Sequence, residues 1–597
     1  MEKKKVVLIE PASPGAHIFS RVPIPRLGII ILGTIAKQAG YEVKIYIEDM
    51  FGKINDLKSV IEGALAVGIS TITSTAPRAY QLADQTRALG ITVILGGVHP
   101  TFMIEEALNH ADFVVRGEGE KAILPLLEAI SGQINFSQVP NLSYWQGGQI
   151  MSNEMAPHIV DLDEIPSPDY SVIEGWQTDK KVPVVSITTS RGCPFNCVFC
   201  SVVPMFGRRY RFTSVERAVA DLEAAAKIAK HIFIADDNFT ANIERVKAIL
   251  KEAIRRGLKF EWSAQVRTET AKDKELLRLM KQTGCFMNFI GFESINPKTL
   301  VAYEKKQTLA EIEQSIKAFQ RFGIKIHGMF VLGADEDEVA TIKETVRFAK
   351  RLDIDTVQFM ILTPLPGTRV WQEFVDQARI IDINYSHYDA HHTVYKPKRM
   401  TSYELQIETF RAMKKFYSWR GIFQRLLKAI ITWSAPDFWI VNLRFYGRKQ
   451  IRQAFESKRL YLKYLHEKIS QHTEKFKANL SKKRIKTVGL PAELMGNWEP
   501  SYRRFLRAFL AKLGVKIIDL KADQIIDEQP DIVLLAHWAV KNKGEIFHSI
   551  KDKKQISLDF NPQNFSEQCL GLGLLFKSKV RRVRRIFQKT LQDNVLA

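Results

Sequence analysis

Three of the chain's five cysteines stand together in the stretch TTSRGCPFNCVFCSV, at Cys193, Cys197 and Cys200. Soft thiolates at C-x-x-x-C-x-x-C spacing suit zinc or an iron–sulfur cluster. Gly192 and Pro194 favour a turn, so all three fall on one tight loop. A closed zinc site takes four protein ligands. The remaining cysteines, Cys285 and Cys569, are isolated residues without a C-x-x-C companion. Two readings therefore stand: zinc completed from elsewhere in the chain, or a cubane with three irons held by protein and the fourth open to substrate or cofactor. The spacing favours the cubane. Cysteines used this way fit a reducing cytosol and argue against a disulfide framework.

Such a loop needs a scaffold, and the chain supplies two α/β alternations. With 597 residues it is too long for a single core. In residues 1–134, strand-like runs at 5–10, 41–47, 64–71, 92–97 and 112–117 alternate with helical segments. That pattern predicts a Rossmann-like, doubly wound parallel sheet with ligands at the carboxyl ends of its strands. Residues 135–183 are polar and Pro-punctuated and read as a linker. From 184 to 400, six strand candidates (185–190, 231–236, 260–265, 286–293, 324–333, 355–362) alternate with helices, predicting a partial (β/α)6 TIM-like barrel. Its first strand runs into the cysteines. Thr213 and Glu216 have capping-box spacing for the helix that follows. Residues 401–484 read as a basic, aromatic helical segment and 485–597 as a small α/β appendage.

The cysteine spacing, with Phe199 before the last cysteine and a barrel strand ahead of the loop, resembles the radical S-adenosylmethionine superfamily. A preceding Rossmann-like domain containing GGVHPT and VVRGEGE is similar to its cobalamin-binding branch. Further motifs agree: ADDNFT (235–240), SAQVRTE (263–269), GFES (291–294), GMFVLG (328–333) and TPLPGT (363–368). The resemblance implies a [4Fe-4S] cluster on Cys193, Cys197 and Cys200 whose open iron binds S-adenosylmethionine. One electron then cleaves the sulfonium and leaves a 5′-deoxyadenosyl radical. It also implies that Asp236, Asp237 and Asn238 meet the methionine amino group, that Ser263 and Arg267 lie in the ribose and carboxylate region, and that Glu293 of GFES, at a later strand end, is a further cofactor-binding residue. The plain alternatives are that Asp-Asp-Asn caps a helix and that Arg267 is a surface charge. Tyr210 is a candidate proton carrier in the basic loop GRRYR.

The cobalamin fingerprint D-x-H-x-x-G is absent. The corresponding loop reads EPASPGAH, with His17 lacking its Asp and Gly companions. The resemblance implies cobalamin held without a histidine ligand, contacted by Ser70, Thr71, Ser74, Gly96 and Gly97, with His99 of GGVHP as a further candidate. A bound cobalamin makes methylation the first expectation; cyclisation or rearrangement is the alternative within the family. A zinc-stabilised nucleotide- or surface-binding protein is the rival from another class.

The formal charge of +21 is local: residues 401–490 hold 20 Lys and Arg against 6 Asp and Glu. Aromatics interleaved with these charges suit a helical cap on the barrel first and an anionic membrane surface second. Nucleic acid is a distant third, since no RNA- or DNA-binding module is recognisable. The segment YDAHHTVYKPKRMT (388–401) resembles that of family members acting on hopanoids and tetrapyrroles, which implies a small-molecule or lipid-like substrate. The chemistry also requires an electron donor of flavodoxin or ferredoxin type. The start of the chain lacks signal-peptide features, and a cytoplasmic protein with a peripheral membrane contact is expected.

Overall fold

In the computed structural model, the described residues are 4–15, 24–176 and 181–458, with short pieces between 461 and 533. His17, Cys569 and most of the appendage read at 485–597 lie outside them.

The first sheet has seven strands: β1 Lys5–Glu10, β2 Glu42–Ile47, β3 Ala64–Ser70, β4 Thr92–Gly96, β5 Phe113–Val115, β6 Leu142–Gln146 and β7 Gln149–Ser152. They lie in the order β2-β1-β3-β4-β5-β6-β7. β1 to β5 are parallel, and the order reverses between β1 and β3. That reversal is where open α/β sheets form their ligand crevice. Val7, Ile9, Val67, Ile69, Val93 and Leu95 alternate onto one face and pack with Ala79, Leu82 and Ala83 of helix 76–88. Burial on both faces explains why these strands read as continuous apolar runs.

The linker reading of 135–183 needs correction. β6 and β7 form an antiparallel hairpin that extends this sheet beyond β5. Gly147 and Gly148 both take positive φ, 58° and 77°, the geometry of a two-residue hairpin turn. The Gly-Gly pair was the available signal.

The second sheet is a curled half-barrel. β8 Val182–Ile187, β11 Ala229–Ile234, β12 Glu261–Val266, β13 Cys285–Glu293, β14 Lys325–Leu332 and β15 Thr356–Ile361 are all parallel, in chain order across the sheet. Two short strands, β9 Ser190–Arg191 and β10 Arg211–Phe212, pair across the loop that follows β8. Ile232, Ile234, Trp262, Ala264, Ile290 and Ile326 are buried, while His231, Phe233, Gln265, Phe289 and Gln358 are half-buried. The half-buried set gives the open side a mixed aromatic and polar layer. The helix after β10, Val215–Ile228, is capped by Ser214, whose hydroxyl accepts the Arg217 N–H at 3.1 Å. Thr213 is instead buried, with its hydroxyl directed to the Thr189 carbonyl. The cap lies one residue later than the spacing predicted.

Helices Ser402–Phe416, Trp419–Thr432 and Ala435–Ser457 follow the barrel. A second compact unit, 396–404 with 458–597, contains a three-stranded parallel sheet: β16 Thr487–Pro491, β17 Lys516–Leu520 and β18 Ile532–Val533. Among the described residues no helix is long and apolar enough to cross a membrane.

Candidate functional site

The cysteine loop is fastened from several strand ends. After β11, Asp236 is fully buried and accepts five hydrogen bonds from the loop's approach. Its Oδ1 takes the Thr189 N–H at 2.6 Å, the Ser190 N–H at 3.1 Å and the Thr188 hydroxyl at 3.2 Å. Its Oδ2 takes the Thr189 and Ser190 hydroxyls at 2.7 and 2.6 Å. Arg245, also buried, reaches the Thr189 hydroxyl at 3.3 Å and the Thr189 carbonyl at 3.0 Å. Asp236 is thus committed to holding the loop, not free to meet a cofactor amine. Its neighbour Asp237 accepts the Gly192 N–H at 3.2 Å and faces open space. Burial, with the charge of Asp236 beside it, pushes the Asp237 carboxyl up to about 6.

Gly192 is required where it stands. Its φ is +83°, and a Cβ there would meet the Arg209 carbonyl oxygen at 2.6 Å. After β12, Arg267 lies over the Phe195 ring of the cysteine loop at 3.7 Å and pairs with Glu269 at 3.0 Å. At the end of β13, Glu293 takes φ +61° at an irregularity in the strand and pairs with Lys305 at 2.8 Å, both buried. A non-glycine residue held in that region marks a place the surrounding structure over-determines. Lys305, Glu293 and Arg267 are the charges that act on Cys197. After β15, the Val370 N–H donates to the Val198 carbonyl at 3.3 Å, and Arg369 bonds the Asn196 carbonyl.

Cys193, Cys197 and Cys200 are half-buried free thiols, and burial pushes all three up, Cys200 to about 12. Without metal they are neutral, so taking up iron must release protons. Among the described residues no three His, Cys, Asp or Glu side chains are disposed around a single ion. A cubane does not require that, because each thiolate binds its own iron. Cys285 is buried in β13 with its thiol toward Asn288 at 3.6 Å, apart from the loop.

Beside the loop lies a cavity of about 530 Å³, between the carboxyl ends of β3 and β4 and those of β8 and β11. Ser70, Thr71, Gly96 and Gly97 line it, and so do Ser190, Arg191, Phe233 and Asp237. Gly97 has φ +101°, and a Cβ there would lie 2.6 Å from the Thr71 carbonyl oxygen. The Thr71 hydroxyl is buried without a hydrogen-bond partner. A mostly apolar cradle with bare glycine backbone and one orphaned hydroxyl fits a large, flat ligand such as a corrin. No histidine is among the described lining residues.

Ser74 and His99 do not line this cavity. Ser74 is buried on the turn after β3, and His99 points inward to Glu106 at 3.3 Å and the Tyr385 ring. Tyr210 donates to the Phe239 carbonyl at 3.4 Å, and burial raises it to about 12, so it stays protonated and apart from the cavity. Ser263 pairs with His231 at 2.7 Å on the open side of the half-barrel, and Asn238 is buried, taking a 3.4 Å bond from Thr240.

An ion cluster was not anticipated. Glu118, at the cavity rim, accepts from Arg191 at 3.1 Å, from Arg211 at 2.8 Å and from His158 at 2.9 Å; Glu120 accepts from Arg191 at 2.6 Å. Burial alone would raise Glu118, but the Arg211 hydrogen bonds and both guanidinium charges hold it down to about 2. The two carboxylates belong to RGEGE after β5, while Arg191 stands two residues before Cys193. The motif was visible in sequence; its partner was not.

Comparison with known proteins agrees with this geometry. A family model described as the radical SAM superfamily matches residues 187–349, and one described as the B12 binding domain matches residues 20–127. An uncharacterised methyltransferase of Pyrococcus horikoshii is 33% identical over 434 residues, covering 70% of this chain and 93% of that protein. An anaerobic magnesium-protoporphyrin IX monomethyl ester cyclase of Cereibacter sphaeroides is 31% identical over 446 residues, covering 70% and 71%. The cobalamin-dependent S-adenosylmethionine radical enzyme OxsB, solved with aqua-cobalamin and S-adenosylmethionine bound, superposes with a TM-score of 0.57 at 16% identity. That match covers 86% of this chain and 76% of that one.

Proposed function

Because this chain belongs to the radical S-adenosylmethionine superfamily, in the branch that carries a B12-binding domain, we propose that it methylates an unactivated carbon of a hydrophobic small molecule. It is an enzyme whose cofactors are a [4Fe-4S] cluster, S-adenosylmethionine and cobalamin. When bound, these supply the one-electron and methyl-carrying chemistry; the protein's part is position and exclusion of water.

One observation carries the reading: Asp237 and Arg191 line the 530 Å³ cavity and at the same time fasten the cysteine loop. The cavity and the thiol loop therefore share walls. In this proposal Cys193, Cys197 and Cys200 hold the cluster, and Ser70, Thr71, Gly96 and Gly97 cradle the corrin. Asp237 accepts from the amino group of S-adenosylmethionine, and Arg267 and Glu293 complete the surroundings of Cys197. Asp236, Ser263, Ser74, His99 and Tyr210 take supporting places instead. Phe233 borders the cavity and meets Phe289 edge-on at 5.5 Å, joining it to the open side of the half-barrel. That aromatic side suits a tetrapyrrole or isoprenoid-like substrate, such as the methyl ester named for the Cereibacter relative. We place the enzyme in the cytoplasm with a flavodoxin- or ferredoxin-type donor.

The test is anaerobic reconstitution followed by reaction with deuteromethyl S-adenosylmethionine, a reductant and candidate lipids or tetrapyrroles. Roughly four irons per chain, 5′-deoxyadenosine and a substrate bearing the labelled methyl are expected. A colourless protein holding one zinc would overturn the proposal. The second reading, cyclisation, is favoured by the 31% identical relative; it predicts 5′-deoxyadenosine with no label transferred.

A further inference from the structure

The two helices Trp419–Thr432 and Ala435–Ser457 are amphipathic in the reverse sense. Their charged side faces the barrel. Arg425, with a side chain 2% exposed, bonds Asp353 at 2.6 Å, and Arg444 donates to the carbonyls of Ile354 and Asp355 at 2.7 Å each. Asp437 pairs with Lys325. The outer side is apolar. Trp419, Phe423, Leu427 and Ile431 recur every four residues with exposures of 57%, 59%, 44% and 82%. At the turn Trp433 is 83% exposed, and Phe445 of the next helix meets Trp419 at 5.6 Å. Aromatic and aliphatic groups on one continuous surface are rare without a partner.

We propose that this hairpin docks on an anionic phospholipid bilayer. From Arg411 to Phe455 the sequence has ten Lys and Arg and a single acid, Asp437, which is buried. Arg420, Lys414 and Lys449 are exposed around the apolar stripe. Trp and Phe flanked by cations are the composition of helices lying in the plane of a membrane interface. Other occupants fit the charge poorly. Residues 459–597 carry 27 Lys and Arg against 14 Asp and Glu, the same sign as the rim. A second copy would set two basic rims face to face. The anchors Asp353–Asp355 and Lys325 stand at the amino ends of β15 and β14, so docking leaves the cysteine loop, at the carboxyl ends, unobstructed. This inference is independent of the reaction proposed above.

The test is co-sedimentation of the full chain with vesicles of phosphatidylcholine alone or with about 30% phosphatidylglycerol. Binding is expected on the anionic vesicles and should weaken as salt rises. The double variant Ile431→Ser with Trp433→Gly, at positions more than 80% exposed, should lower partitioning by at least about tenfold with an unchanged circular dichroism spectrum. Lys449→Glu should lower it about fivefold on anionic vesicles only. The proposal falls if the native chain stays in the supernatant, or if the double variant binds as the native does. It also falls if, without lipid, the double variant converts a dimer to a monomer, which would assign the surface to a second copy.

Discussion

Replacing Asp236 by Asn separates two roles that the motif Asp236-Asp237-Asn238 leaves entangled. The buried carboxylate accepts three hydroxyl and two backbone donors from Thr188, Thr189 and Ser190. It also balances Arg245, whose guanidinium sits on the same Thr189. An amide keeps one acceptor oxygen but turns the other into a donor facing two hydroxyls, and it removes one of the carboxylate charges, with that of Asp163, that act on buried Arg245. Hydrogen bonds to a charged acceptor contribute about 1.5–3 kcal/mol each, against about 1 for neutral ones. Desolvation of the carboxylate offsets part of this, so about 3 kcal/mol of lost stability is expected. It should appear as a lowered guanidinium midpoint for the metal-free chain. After anaerobic reconstitution, iron content should fall as well, because the loop from Thr188 to Cys200 has lost its anchor. Asp237→Asn should leave iron content near native and weaken S-adenosylmethionine binding. The reasoning is refuted if Asp236→Asn unfolds as the native chain does, retains its iron and loses only S-adenosylmethionine affinity.

Glu118→Gln removes the acceptor shared by Arg191, Arg211 and His158 and should cost about 3 kcal/mol by chemical denaturation. Because the folded carboxyl lies at about 2 against its ordinary 4.5, its stabilisation is full above pH 4.5 and fades as pH falls toward 2; the native and variant stability curves should converge over that window. Gly97→Ala, at φ +101° with a Cβ 2.6 Å from the Thr71 carbonyl, should cost about 1–3 kcal/mol and prevent hydroxocobalamin from co-purifying. Cys197→Ala should abolish iron retention and 5′-deoxyadenosine formation together. Cys285→Ala, buried in β13 away from the loop, should retain both and lose roughly 1 kcal/mol of stability.

The site was legible where local spacing constrains the backbone. Cysteines at three- and four-residue intervals must share a loop, and small residues after β3 and β4 must leave backbone bare; Cys193, Cys197 and Cys200 accordingly lie on one loop and Thr71 and Gly97 on the cavity wall. Partner choice is decided in tertiary structure, which spacing does not encode. Asp236 and Asp237 are adjacent in sequence yet turn opposite ways, one into the loop's anchor and one into the cavity. His99 has a neighbour in Glu106 that only helix packing brings near, and Ser263 finds His231 on the neighbouring strand. Arg191 and Glu118 are 73 positions apart, and nothing in the two motifs that contain them pairs one with the other. The hairpin β6–β7 was misread because its polar edge strand resembles a connector.

The Glu118–Arg191 contact joins a loop of the first sheet to the residue two places before Cys193. The contact thus lies between the cavity wall and the approach to the thiols, where a group held at either site bears on the other. Binding at each site should therefore raise affinity at the other by the same factor, as linkage demands. In the Glu118→Gln protein, where Glu120 alone still holds Arg191, that shared factor should shrink, even where each group still binds alone.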